Sequence, residues 1–167
     1  MNRYIVVVMF SAVAFASVHA DVAAPGAVQD CKSLYDAKDF EHAREVCTAA
    51  AGKKDAQAQY LLGRMHEEGD GMKKDEAAAV KWYRLAADAG HATAQRRLAG
   101  AYALGRGVEK DEKLGAYWIK EAAKNGDTRA QKQLALGYEM GIGGLPKDEK
   151  LAREWRERAE KSKNQNK

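Results

Sequence analysis

Three consecutive segments of this chain carry nearly the same text at a spacing of 36 residues. They read AQAQYLLGRMHEEGDGMKKDEAAAVKWYRLAADAGH over 56–91, ATAQRRLAGAYALGRGVEKDEKLGAYWIKEAAKNGD over 92–127 and TRAQKQLALGYEMGIGGLPKDEKLAREWRERAEKSKN over 128–164. A period of this size marks a solenoid, because a unit so short cannot bury its apolar face alone and must stack on its neighbours. Solenoids expose long surfaces, so the functional question becomes what the chain binds.

Each copy reads as helix–turn–helix. Ala and Leu recur at helical spacing in the first half, as Ala58, Leu62 and Met65 or Ala94, Leu98, Ala101 and Tyr102. A glycine pair then stops the helix: Gly69/Gly71, Gly105/Gly107 and Gly141/Gly143. Asp75, Asp111 and Asp148 follow as N-caps, with Glu76, Glu112 and Glu149 in the first turn to complement the helix dipole. The second helices carry Trp82, Trp118 and Trp155 at one slot, expected as core wedges, and end at Gly90 and Gly126.

The two ends differ from the repeats. Residues 30–54 read as a degenerate cap, helical over 29–36 and 40–51 with a turn at Ala37-Lys38-Asp39. Ala49-Ala50-Ala51-Gly52 echoes Ala86-Ala87-Asp88-Ala89-Gly90. Repeats are expected at 55–91, 92–127 and 128–161, the last doubling as C-terminal cap: Arg156, Glu160 and Lys163 stand where copy two has Ile119, Ala123 and Gly126. A polar outer side on the terminal unit ends the stack. Residues 162–167 are expected to be a disordered tail. Copy three also holds one extra residue, placed around Gly144–Pro146 and read as loop variation.

Met1–Arg3 give a positive start, Tyr4 to Val18 an uncharged apolar run, and Val18-His19-Ala20 a signal-peptidase site. This predicts a cleaved signal peptide over 1–20, a flexible segment over 21–29 and a secreted or periplasmic mature chain with no membrane span. The apolar run is short for a spanning helix, and no cysteine follows it as a lipoprotein anchor requires. In that compartment Cys31 and Cys47 predict a disulfide. They come roughly level across the hairpin formed by the two cap helices. Charged residues make up 31 % of the chain with a net charge of +4, but both signs alternate, as in KKDE (73–76). That is a solvated helical face rather than a basic stripe, and it argues against nucleic acid and anionic membranes.

The pattern A-x-A-Q-x-x-L-G-x-x-Y-x-x-G-x-G-V-x-x-D-x-x-x-A-x-x-W-x-x-x-A-A-x-x-G resembles the Sel-one-like repeat (SLR) family, a relative of the tetratricopeptide repeat. Copy two carries most of it, in Ala94, Gln95, Leu98, Tyr102, Gly105, Gly107, Val108, Asp111, Trp118, Ala122, Ala123 and Gly126. Departures are mild: His66 replaces a Tyr, Gly115 an Ala, and copy three loses the closing Ala-Ala-x-x-Gly. The resemblance implies an all-α, right-handed α–α superhelical solenoid, here of about eight antiparallel helices. It also implies an adaptor or scaffold role, in bacteria often in the cell envelope. From its secreted relatives the resemblance implies two alternatives for this chain: a periplasmic immunity protein neutralising a secreted toxin such as a type VI phospholipase effector, and, behind it, a β-lactamase-like cell-wall enzyme.

Chemistry is hard to place on this chain. The mature part holds only Ser33 and Ser162, neither followed by Lys at the Ser-x-x-Lys spacing. His42, His66 and His91 fall in different units with no metal-ligand spacing. His42 and His91 read as surface residues and His66 as a packing substitute. The G-x-G pairs lack a preceding strand and a phosphate-binding Lys, so they read as turns. No catalytic residue, metal or cofactor is expected, and the partner is another protein. Related solenoids line their concave face with the first helix of each pair. The slots that vary there hold Tyr60, Arg96 and Lys132; Arg64, Gly100 and Leu136; and Glu67, Ala103 and Glu139. An aromatic and several cations at one level suit an acidic or C-terminal peptide.

Overall fold

A computed structural model of the protein describes residues 30–165. The expected signal peptide at 1–20 and the segment at 21–29 lie outside the described residues. Within them the chain forms eight helices and no strand. These are α1 (Cys31–Asp36), α2 (Phe40–Gly52), α3 (Ala56–Glu68), α4 (Glu76–Asp88), α5 (Ala92–Leu104), α6 (Glu112–Lys124), α7 (Thr128–Met140) and α8 (Glu149–Gln165). Each helix packs mainly on the next in sequence, giving an α–α solenoid of a cap hairpin and three repeats.

Local chemistry sets the helix ends. Asp75, Asp111 and Asp148 each accept a hydrogen bond from the amide three residues on, at 2.8, 2.9 and 2.9 Å, which satisfies an orphan donor of the first turn. The first helices are capped in the same way by Asp55, His91 and Asp127, a series not apparent from the glycine-bounded reading. Gly69, Gly105 and Gly141 end α3, α5 and α7 in the left-handed conformation.

Three apolar clusters run along the stack, one at each junction. Alanines at or near zero exposure (Ala86, Ala94, Ala122, Ala130) let helices approach closely, and Leu62, Leu98 and Leu134 fill the space between them. Burying one such leucine stabilises the fold by roughly 1.5–3 kcal/mol. Trp118 is buried, and Trp82 and Trp155 are half-buried against their clusters, as core wedges. Gln59, Gln95 and Gln131 are buried and donate to the carbonyls of Ala51, Ala87 and Ala123 at 3.3, 3.0 and 3.1 Å. The glutamine of the repeat therefore ties each unit to the last turn of the preceding one.

The disulfide expected from the sequence is present, joining Cys31 to Cys47 and clamping α1 onto α2. Three other expectations are corrected. The cap's echo of the repeat is shifted: the buried Ala51 matches Ala87, and Lys54, with φ of 66°, occupies the left-handed position of Gly90. Gly52 is simply helical. The extra residue of copy three falls at Ile142–Gly143 instead of Gly144–Pro146. Gly144 is the glycine packed on the Glu112 backbone, as Gly107 packs on Glu76, whereas a Cβ on Gly143 would meet nothing. The loop is also anchored, since Leu145 is buried in the third cluster. Finally, the residues from Ser162 to Gln165, expected to be disordered, continue α8. No glycine or proline follows Glu149, so nothing breaks the helix, and Lys and Gln are good helix formers.

Candidate protein-binding face

Leaving aside the small Gly100 and Ala103, the varying slots of α3, α5 and α7 hold seven residues expected to contact a partner: Tyr60, Arg64, Glu67, Arg96, Lys132, Leu136 and Glu139. The structure divides those residues into two groups.

Four are committed to contacts within the chain. Tyr60 stacks on His91 with ring centroids 4.6 Å apart. Arg96 places its Nε 3.0 Å from both carboxylate oxygens of Asp127, a nearly buried pair that struts α5 against the start of α7. Arg64 lies over the Tyr35 ring at 5.2 Å and 3.8 Å from Glu68. Glu67 accepts the Tyr83 hydroxyl at 2.5 Å and pairs with Arg97 at 3.2 Å. These groups hold neighbouring units together.

The remaining three lie on α7 and are exposed. Lys132 joins no ion pair among the described residues. Leu136 is 50 % exposed. Glu139 pairs with Arg156 of α8 at 2.7 Å, both side chains being solvated. An exposed pair of this kind is worth little.

Sequence reasoning missed the side chains that make this end of the face apolar. Leu104, Met140 and Ile142 are 61, 58 and 48 % exposed. Leu104 and Met140 share one slot just before the terminating glycine, where copy one has Glu68; Ile142 and Arg106 sit inside the G-x-G turns, where copy one has Asp70. Comparing those slots between copies was the available signal. A groove runs past Leu104, Arg106 and Ile142. One stretch lies between α5, α6 and α7 over Gly100, Ala103, Leu136 and Ile142, and a second continues over Leu104, Arg97 and Arg106 to Glu67.

Burial, helped by the Asp70 carboxylate, pushes the Tyr35 phenol up to about 12. Burial and then the Glu67 carboxylate push Tyr83 higher still. Both phenols stay protonated and act as donors. Among the described residues no three His, Cys, Asp or Glu side chains come together as a metal site requires, and no helix is long and apolar enough to cross a membrane.

His42 is exposed, as expected, but His91 is not a surface residue. Its Nδ1 accepts the Ala94 amide at 3.2 Å and its Nε2 lies 2.9 Å from Gln57 Oε1, which fixes the neutral tautomer. Burial lowers its pKa from 6.5, outweighing the Asp127 and Asp55 carboxylates that favour the cation. A depressed histidine pKa contributes stability at neutral pH that is lost as pH falls through the folded value. Protonation of Nδ1 removes the cap of α5, a loss of about 1 kcal/mol. The thermal midpoint is therefore expected to fall below pH 6.5 more steeply in the wild type than in His91→Asp, which carries the residue found at this slot in α3 and α7. Parallel pH profiles would refute it. His42, whose pKa the Asp39 carboxylate raises, contributes with the opposite sign in both proteins.

Helical hairpins stacked in register, with invariant packing slots and variable outward ones, define a repeat scaffold of the α–α solenoid class. The Sel1 repeat family model matches at 56–91, 92–127 and 128–164, and the chain belongs to that family. Sel1 repeats generally mediate protein–protein interactions, and their fold is typically a scaffold rather than a catalytic one. The chain is similar to a Sel1 repeat protein from Oxalobacter formigenes, with 31 % identity and a TM-score of 0.75 over 79 % of this chain and 54 % of that one. It is also similar to c5321, a protective antigen present in uropathogenic Escherichia coli strains and displaying an SLR fold. There the identity is 29 % and the TM-score 0.70, over 79 % of this chain and 30 % of that one. The chain thus spans about half of the first structure's length and less than a third of the second's. No curated protein matches significantly.

Proposed function

We propose that this chain is a secreted or periplasmic interaction module that holds a partner protein on the α5–α7 end of its first-helix face. The observation that carries this reading is the contrast along that face. Around α3 the polar side chains are consumed by internal pairs, whereas around α7 large apolar side chains stand exposed beside uncommitted cations. Exposed apolar clusters with a polar rim characterise interaction sites. The disulfide supports an oxidising compartment, in keeping with the signal peptide read at 1–20.

The test is a crosslinking pull-down from periplasm with wild-type protein and a Lys132→Glu/Leu136→Asp variant. Both substitutions lie on exposed helix surface and leave the internal pairs of Arg96 and Tyr60 intact. The variant is expected to lose the partners that wild type recovers, with an unchanged unfolding midpoint. Recovery of the same partners would place the binding face elsewhere. Intact mass of the periplasmic protein tests secretion: a chain starting at Asp21 is expected, and a cytoplasmic chain retaining Met1 would refute it.

A further inference from the structure

Gly100 lies inside α5, where glycine weakens a helix relative to alanine. Its neighbours do not explain it. Its φ is not positive, and a Cβ built there would meet no atom within 4 Å. Gly63 and Gly115, the other glycines within the first two repeats' helices, each face a neighbouring side chain or backbone at close range. Copies one and three place Arg64 and Leu136 at the same slot. The missing side chain opens the floor of the groove at the point shared by its two stretches.

The two sides of that point differ. Towards α7 the wall is apolar, with Leu136 and Ile142 half-exposed. Towards α4 it is charged but unevenly balanced. Glu67 is taken up by Tyr83 and Arg97, and Glu76 lies 3.5 Å from Lys74. Arg106 is exposed and joins no ion pair among the described residues, and Lys132 is in the same state one turn along α7 from Leu136. Glu67 is committed, Glu76 is only loosely held by an exposed lysine, and of the arginines lining the groove Arg106 alone joins no ion pair among the described residues.

From this we infer that the groove across Gly100 seats a partner segment combining large apolar side chains with a carboxylate. The apolar side chains lie against Leu136 and Ile142, the backbone passes close to Gly100, and the acid reaches Arg106. This rests on the interaction reading above and deepens it.

The obvious disruption is Gly100→Leu. It adds the side chain that copy three already carries at this slot, with a Cβ that would meet no atom within 4 Å, so it narrows the groove without a clash at the backbone. The probe is a phage-displayed library of random 12-residue peptides, selected on wild-type protein with its disulfide intact. Selected peptides are expected to pair apolar residues with Asp or Glu. They should bind Gly100→Leu at least tenfold more weakly and lose affinity likewise for Arg106→Glu, while the thermal midpoint of Gly100→Leu rises by about 3 °C. A role of Gly100 in folding alone would move the midpoint and leave peptide affinity unchanged. Failure to enrich, enrichment of basic peptides, or equal binding to Gly100→Leu overturns the inference. So does a wild-type dimer that Gly100→Leu makes monomeric, since the occupant is then a second copy. So does tighter peptide binding by a chain starting at Asp30 than by one starting at Asp21, since the chain's own leading segment is then the occupant. If Gly100→Leu still recovers the periplasmic partners that Lys132→Glu/Leu136→Asp loses, the interaction reading stands and the groove inference alone falls.

Discussion

Gly107→Ala is expected to destabilise the protein by about 2–5 kcal/mol and to lower the steepness of its urea unfolding curve. Two costs combine. Gly107 has a φ of 65°, a left-handed conformation that costs a side-chain-bearing residue roughly 1–2 kcal/mol. Its Cβ would also overlap the Glu76 carbonyl and stand 2.7 Å from the Ala77 nitrogen, both backbone atoms at the start of α4. Helix backbone cannot swing aside as a side-chain tip can, so α4 must move away from the α5–α6 turn, at a further cost of about 1–3 kcal/mol. Gly126→Ala is the control. Gly126 has a φ of 87° and nothing within reach of a Cβ, so only the conformational cost applies. The difference between the two variants isolates the backbone-to-backbone contact. In a stack where each unit touches only its neighbours, loosening one junction also weakens cooperativity, hence the shallower transition. Equal midpoints for the two variants would show that the junction between the first two repeats tolerates the displacement.

That contact illustrates what the sequence carried and what it did not. The 36-residue period, the Trp and Ala packing slots and the Asp caps were legible, because each repeats a local requirement of helix ends or close packing. The second glycine of each turn was legible as a stop but not as a contact, since the atoms it touches belong to the previous unit. The same limit misplaced the extra residue of copy three: GIGG offers several glycines, and only the approach to Glu112 selects Gly144. In the cap, the alanine run allowed several registers, and the Gln59 bond to Ala51 selects one. On the binding face, the seven candidate residues were found by asking where the copies disagree. That question does not separate variation used to brace neighbouring units, as in Arg96 and Glu67, from variation left open to solvent, as in Lys132 and Leu136. Leu104 and Ile142 lay in slots read as turn punctuation and so were passed over.

Replacing both cysteines, as Cys31→Ala/Cys47→Ala, is expected to cost about 3 kcal/mol, the loop-closure term for a bridge of this span. The half-cystines are 16 residues apart, and Cys47 is fully buried beside Ala43, Leu62 and Met65, so alanine leaves only a small void there. Without the bridge, α1 is a helix of six residues, far too short to persist by itself. What remains to hold it is the packing of Leu34 and Tyr35 in the first cluster and the Tyr35 hydroxyl's bond to Asp70 at 3.0 Å. The loss should therefore be local as well as global. Amides of α1 and α2 are expected to exchange with solvent far sooner than in the wild type, while those of α5 and α7 keep their relative protection. Dithiothreitol should lower the wild-type midpoint to that of the double variant and leave the variant unmoved; a wild-type midpoint insensitive to reduction would show that apolar packing alone seats the cap. Because the bridge forms in an oxidising compartment and not in a reducing one, this increment of stability depends on the redox state in which the chain folds. Where the bridge does not form, the cap is held on α3 by the contacts of Tyr35 with Asp70 and Arg64 and by apolar packing.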